Sequence, residues 1–484
     1  MTSALALAGT AMLAVPAVAA SAAPHVLATS AAWGQAEEVP GTAALNAFGN
    51  GSTSSVSCAS TGDCSVIGNY TASSGYGEVF VASQVDGAWG QAEEVPGLAT
   101  LNPGDAEAFS VSCASAGNCS AGGNYSTSSS ALDLEAFVVS QANGSWGNAK
   151  EVPGIAALNT GDGAQVTSVS CASPGNCSAG GYYTTNKARD PHQAFVVNQV
   201  NGTWGQAEEV PGTNTLNKGD QAGVNVVSCA SPGNCSAGGY YYPSAGSLGY
   251  QAFVANEVDG TWGKAKSLVG TGAYNDGNPP GIVSLSCGSA GDCSAGGNYT
   301  PAGGGDGLEP FVVTETGGTW SKAKEVPGIA TLNTGNEASA MAVSCTSAGT
   351  CSAGGFYDTI NGVQQAFVVS QAGGTWGRAK ALASIATLNQ GDMAAVTALS
   401  CASTGTCSAG GYYRDSSGHP QLFVVNEVSG TWRTAEEIPG TGALSTGNVD
   451  SLSSLSCAPG GTCSAGGFYL TSGGDQEAFI VSQK

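Results

Sequence analysis

Residues 194–210, AFVVNQVNGTWGQAEEV, are an apolar run, a two-residue polar break and a second run that opens on Trp204. Val and Phe dominate the first run, and Asn-Gly is the preferred pair for a type I′ hairpin, so residues 193–200 and 203–210 are predicted as adjacent antiparallel strands. Upstream, VTSVSCASPGNCSAGGYY (166–183) alternates around Val166, Ser168 and Ser170, breaks at Pro174-Gly175 and resumes from Cys177 to Tyr183. The unit therefore reads as a four-stranded antiparallel meander. Asp86-Gly87, Asn143-Gly144 and Asp259-Gly260 occupy the same hairpin position, and Gly317-Gly318, Gly373-Gly374 and Ser429-Gly430 are looser versions of it.

The unit recurs eight times. Its markers are Cys pairs with five residues between partners: Cys58/Cys64, Cys113/Cys119, Cys171/Cys177, Cys229/Cys235, Cys287/Cys293, Cys345/Cys351, Cys401/Cys407 and Cys457/Cys463. A period of 55 to 58 residues in four-stranded units predicts an all-β fold, an eight-bladed β-propeller. The eighth unit ends at AFIVSQK with no fourth strand, while AWGQAEEVPG (32–41) precedes the first unit with no blade of its own. The N-terminal strand is expected to complete the last blade and so remove two open edges.

The hairpins SQVDGAW (83–89) and NQVNGTW (198–204) resemble, one residue shorter, the S-x-D-x-G-x-T-W hairpin of Asp-box or BNR-like repeats in secreted bacterial propellers. The resemblance implies the same architecture over nearly the whole mature chain. In its enzymatic form it implies a sialidase-like glycoside hydrolase, with an arginine cluster, a Tyr nucleophile paired to an acid, and an Asp acid/base. The chain has only four arginines, Arg189, Arg378, Arg414 and Arg433, and no evident triad.

Charge narrows the partners. Thirteen Lys and Arg against 35 Asp and Glu give −22, with no Lys or Arg before Lys150, so nucleic acid and anionic membrane surfaces are not expected partners. The 74 glycines and 10% charged residues suit turns and strands better than long helices. Residues 1–23 resemble a signal peptide, with an apolar core and A-x-A spacing, although the usual n-region Lys or Arg is absent. The expectation is an exported, extracellular monomer with one propeller domain over 24–484.

The third-strand Phe, the Tyr six residues after each second Cys and the hairpin Trp recur in every unit and are expected as inter-blade core. Five intervening residues exceed zinc-site Cys spacing, so eight local disulfides are expected. Two features are candidates for function. One is a Gly-[Asp/Asn] pair ending in Asn50, Asp105, Asp162, Asp220, Asn278, Asn336, Asp392 and Asn448, a ring that reads either as a site for Ca²⁺ or a polyhydroxylated ligand or as a set of Asx turns. Ca²⁺ is the one cofactor this raises. The other is the variable loop between Tyr and Phe, where unit three carries Lys187, Arg189, Asp190 and His192 and unit seven carries Arg414, Asp415 and His419. Repeated near-equivalent surfaces suit a non-enzymatic binding or scaffold protein, multivalent for extracellular glycan or protein. The alternative is a glycan-active hydrolase or lyase that uses the asymmetric loops.

Overall fold

The computed structural model describes residues 31–129, 133–186, 191–245, 249–268, 281–301, 307–382, 384–447 and 450–484; the expected signal segment lies outside them. In blade three the first two strands, Ala164–Ser173 and Asn176–Thr184, pair so that Cys171 stands directly opposite Cys177. Their Cα atoms are 3.9 Å apart and the sulfurs are bonded. All eight predicted pairs are bridged in the same way. The third strand, His192–Val200, follows, and Asn201 and Gly202 take φ of 49° and 80° to turn the type I′ hairpin. The Gly202 N–H donates to the Gly175 carbonyl, which ties the hairpin to the cystine turn at the same end of the blade.

The two halves of each cystine are not equivalent. The second partners, Cys64, Cys119, Cys177, Cys235, Cys293, Cys351, Cys407 and Cys463, are buried at 2% to 5% exposure, whereas most of the first partners are only half-buried. As staples these cysteines match expectation, and the second partners are in addition covered by a neighbouring blade. The reason is the stacking of blades: Cys235 Sγ lies 3.3 Å from Ser178 Oγ, Cys293 Sγ 3.4 Å from Ser236 Oγ, Cys407 Sγ 3.7 Å from Ser352 Oγ and Cys463 Sγ 3.2 Å from Ser408 Oγ, each serine on the preceding blade. Cys351 is buried at the equivalent place, 4% exposed. These sulfurs belong to the core.

The fourth strand differs from the continuous run expected. Only Thr203–Trp204 and Glu208–Glu209 pair with the third strand. Between them the Ala207 N–H turns away to the Pro153 carbonyl of blade two, 2.7 Å distant, so one ladder position is given up for a bond between blades.

Close stacking depends on two glycines in each of most units. A Cβ on Gly180 would press into Val224 of blade four, and one on Gly181 would collide with the Gln165 carbonyl on the adjacent strand. All eight third-strand Phe rings are fully buried, and the repeated Tyr is buried everywhere except Tyr299. The Trp rings pack on the inter-blade clusters as expected, but only Trp33 and Trp262 are buried and the other six are half-buried. In five of the eight units the indole N–H finds a polar partner on the preceding blade, as where Trp204 donates to Ser140 Oγ at 3.3 Å and Trp262 to Asn198 Oδ1 at 3.0 Å, whereas the indole nitrogens of Trp33, Trp146 and Trp432 make no hydrogen bond to the described residues.

The ring closes as the sequence implied. Glu37 and Glu38 pair with Ile480 and Phe479, and Trp33 bridges to Gln483. The first strand of blade one (Ser52–Ser60) packs between those of blade two (Ala106–Ser115) and blade eight (Asp450–Cys457). The fold is an all-β, eight-bladed propeller of four-stranded antiparallel blades. Short helical turns such as Ile155–Leu158 connect blades. Eight disulfides fit an oxidising environment, and no helix among the described residues is long and apolar enough to cross a membrane.

Candidate functional site

The Gly-[Asp/Asn] pair works through its backbone. In blade three the Gly161 N–H donates to Thr184 O, at the end of its own second strand, while Asp162 O accepts from Leu134 N–H, at the start of blade two's third strand; both bonds are 2.9 Å. Gly219-Asp220, Gly335-Asn336 and Gly391-Asp392 make the same two bonds. Asp162, Asp220, Asn336 and Asp392 sit at φ of 62° to 65°, the left-handed region that Asp and Asn tolerate better than other side chains.

Two members depart from this. Asp105 uses its side chain, with Oδ1 accepting from Gly77 N–H at 2.7 Å. Asn50 yields the left-handed position to Gly49 (φ 64°), whose carbonyl accepts from Gln476 N–H, and its own amide reaches Thr71 Oγ1 at 3.3 Å. Asn278 and Asn448 lie outside the described residues. Among the described residues no three His, Cys, Asp or Glu side chains converge as a metal site.

Of the charged loops, Lys187, Arg189 and Asp190 lie outside the described residues. His192 stacks on Tyr182, with centroids 4.3 Å apart and planes 9° from parallel. In blade seven Arg414 is exposed, and its carbonyl accepts the Gly391 bond. Asp415 Oδ1 accepts from the Ser417 and His419 N–H groups, and His419 Nδ1 stands 3.8 Å from Asp415 Oδ2. This loop is held by its own aspartate.

A residue that sequence reasoning missed is the Asn three positions before the ring residue. Asn159 is 4% exposed; its Oδ1 accepts from Gly163 N–H at 2.9 Å and its Nδ2 donates to Leu134 O at 3.0 Å. Asn102, Asn217, Asn333 and Asn389, and Asn46 four positions before Asn50, are buried at the same place. The signal was present: an Asn follows the short apolar segment in seven of eight units, Ser445 being the exception. Beside these amides lie carboxyls. Burial raises Glu78 and Glu135 to about 7, opposed by hydrogen bonds from Asn102 and Asn159 and reinforced by Glu94 and Glu151. The repeated Tyr caps this layer, with Tyr125 Oη donating to Glu151 at 3.0 Å and Tyr183 Oη to Glu209 at 3.2 Å.

Aromatic side chains concentrate at this same end of the molecule. Tyr250 stacks on Tyr242, with centroids 4.0 Å apart and 10° between planes, and meets Tyr240 edge-on at 4.9 Å and 82°. Asn225, Tyr240, Tyr250, Val283, Asn298 and Leu308 line a recess of about 440 Å³ across blades four and five. The sequence signal was the run Tyr240-Tyr241-Tyr242 with Tyr250 in the variable loop. A second recess, of about 260 Å³, lies at the cystine end between blades one and two.

No protein-family model matches the sequence, and no curated protein matches it. Among solved structures, the chain is similar to the β-propeller domain of the Trilobed protease from Pyrococcus furiosus (7% identity over 80% of this chain and 97% of that one, TM-score 0.43). It is also similar to a subtype N11 neuraminidase-like protein of A/flat-faced bat/Peru/033/2010 (10%, 95% and 95%, 0.40) and to Penicillium chrysogenum alpha-L-arabinanase (10%, 70% and 98%, 0.38). Likenesses at this level concern fold and carry nothing about activity.

Proposed function

We propose that the chain is a secreted, non-enzymatic binding propeller that takes an extracellular glycan through the end where second strands turn into third strands. One observation carries this reading: the two ends differ in kind. The cystine end repeats one Gly-to-Gly tie, Gly202 to Gly175 and its equivalents, in seven blades. At the other end the residue before the repeated Tyr changes from blade to blade, as Asn69, Asn124, Tyr182, Tyr240, Asn298, Phe356, Tyr412 and Phe468. A frame closed by strand pairing and stapled within each blade holds such side chains in place, which lowers the ordering cost of binding. The Asp-box-like hairpins, the cystines and the leader-like N-terminus support export.

The test applies the oxidised mature chain to glycan and extracellular-protein arrays and assays the same glycans for turnover. Glycan binding without turnover supports the reading. Turnover would replace it with the hydrolase or lyase, and no glycan binding would overturn it.

A further inference from the structure

We infer that the recess across blades four and five is a subsite for a neutral sugar residue, with Tyr240 and Tyr250 as its aromatic walls and Asn225 and Asn298 as its polar contacts. This rests on the reading of the chain as a glycan-binding propeller and names the place and ligand class. The volume, about 440 Å³, falls in the range of small-molecule sites.

The walls are set before any ligand arrives. Tyr250 is fixed by the stack on Tyr242, and Tyr240 meets it nearly at right angles, so the two rings form a corner. A pyranose has an apolar C–H face and a rim of hydroxyls, and a corner of this kind offers one ring plane to the face while leaving the rim free for polar groups. The two amides are held by their nitrogens: Asn225 Nδ2 donates to Ile282 O at 2.9 Å and Asn298 Nδ2 donates to Ser339 Oγ at 3.1 Å. Each therefore has a carbonyl oxygen with acceptor capacity for a hydroxyl.

The six lining residues named above are all uncharged. Burial and the neighbouring tyrosines raise the Tyr240 phenol, so it stays neutral at ordinary pH. The chain carries −22 overall, which works against carboxylated or sulfated sugars. A neutral sugar is the class these groups fit. The recess belongs to one blade pair, because Tyr242 and Tyr250 have no aromatic equivalents at both positions in any other unit; blade three has Thr184 and His192, and blade five has Thr300 and Leu308.

The test is calorimetric titration of the full oxidised chain with cellotetraose, xylotetraose, mannotetraose and galactotetraose, alongside sialyllactose and choline. At least one neutral oligosaccharide should bind, and Tyr250→Ala should weaken it about tenfold, the loss of one aromatic stack. Tyr250→Phe should retain binding, since the ring and not the hydroxyl makes the wall. Asn225→Leu, at an exposed position, should also weaken binding with unchanged melting, which keeps the test decisive if Tyr250→Ala fails to fold. Binding that survives both Tyr250→Ala and Asn225→Leu would overturn the site while leaving the binding propeller standing. Preference for choline or sialyllactose would overturn the ligand class. Array-positive glycans that never compete with these variants would place the binding surface elsewhere.

Discussion

The Ala36 N–H donates to the Pro439 carbonyl over 2.6 Å. The same bond joins Ala207 to Pro153, Ala265 to Pro211 and Ala379 to Pro327, each time from one blade's interrupted fourth strand to the blade before it. Ala36 therefore stands where a fourth strand of blade eight would place its alanine, although it precedes blade one in the chain.

Deleting residues 32–41 removes this bond, the Val39-to-Ala478 bond and the pairing of Glu37 and Glu38 with Ile480 and Phe479. The exposed edge at residues 478–482 should cause aggregation and loss of a single cooperative melt. Size-exclusion chromatography and calorimetry measure both, and unchanged elution with unchanged melting would refute the closure.

Each cystine closes a loop with a sequence separation of 6. Loop-closure entropy gives about 2 kcal/mol for a loop this small, so the Cys171→Ser/Cys177→Ser pair should lower stability by about that amount without unfolding the chain. Peptide mapping of the unreduced protein should recover eight local bridges, and any cross-blade linkage would contradict the blade boundaries.

Asn159 and Asp162 should respond differently. Asn159→Ala leaves Gly163 N–H and Leu134 O without their buried partner and should cost about 1–3 kcal/mol. Asp162→Asn keeps the left-handed turn and should be nearly silent, whereas Asp162→Val, β-branched at φ 65°, should be clearly destabilising. Equal effects of Asn159→Ala and Asp162→Asn in urea denaturation would contradict the division of labour.

The seam between blades three and four offers a coupling test. Asn198 accepts the Trp262 indole and donates to Glu257 Oε1 at 2.5 Å, whereas at the preceding seam Ser140 accepts from both Trp204 and Gln199. Asn198→Ser alone should cost about 1–3 kcal/mol by removing the amide donor from a carboxyl that is 3% exposed. Adding Glu257→Gln restores the Ser–Gln pairing and should recover part of the loss. Strict additivity in the double-mutant cycle would show that the two residues do not interact.

Stability should fall as pH rises through the window set by Glu78 and Glu135. Their folded values, about 7, lie above the ordinary 4.5, so the folded chain binds more protons between those limits. The contribution is full below about pH 4.5 and is lost as pH climbs towards 7. Glu78→Gln/Glu135→Gln, which installs the residue that blade three has at Gln193, should be more stable than the parent at pH 7.5 and converge with it at pH 4. A parent that gains on the variant with rising pH would reverse the sign.

Much of the candidate site was only half visible in the sequence. The variable loops stand out there as individual, and their charges are the conspicuous part, whereas the bonds by which Asp415 holds Ser417 and His419 in a local turn are not legible in spacing. Tyr242 and Tyr250 stand eight positions apart in the chain, and only the return of the third strand stacks one ring on the other. The recess also needs Asn298 from the next blade, a relation that no spacing within one unit reveals.

The sequence by itself determined the repeat, the strand order, the cystine pairs and the closure, because each depends on local chemistry: Asn-Gly at a hairpin, Cys opposite Cys across one turn, a strand missing at one end and spare at the other. Only the tertiary structure decided what lies between blades. The break in the fourth strand, the partly buried Trp, the buried second cysteine of each pair and the buried Asn159 all answer to partners about one repeat period away or nearer across a seam, such as Pro153, Ser140, Ser178 and Leu134. Partners of that kind are set by how blades stack, and stacking is a property of the closed ring.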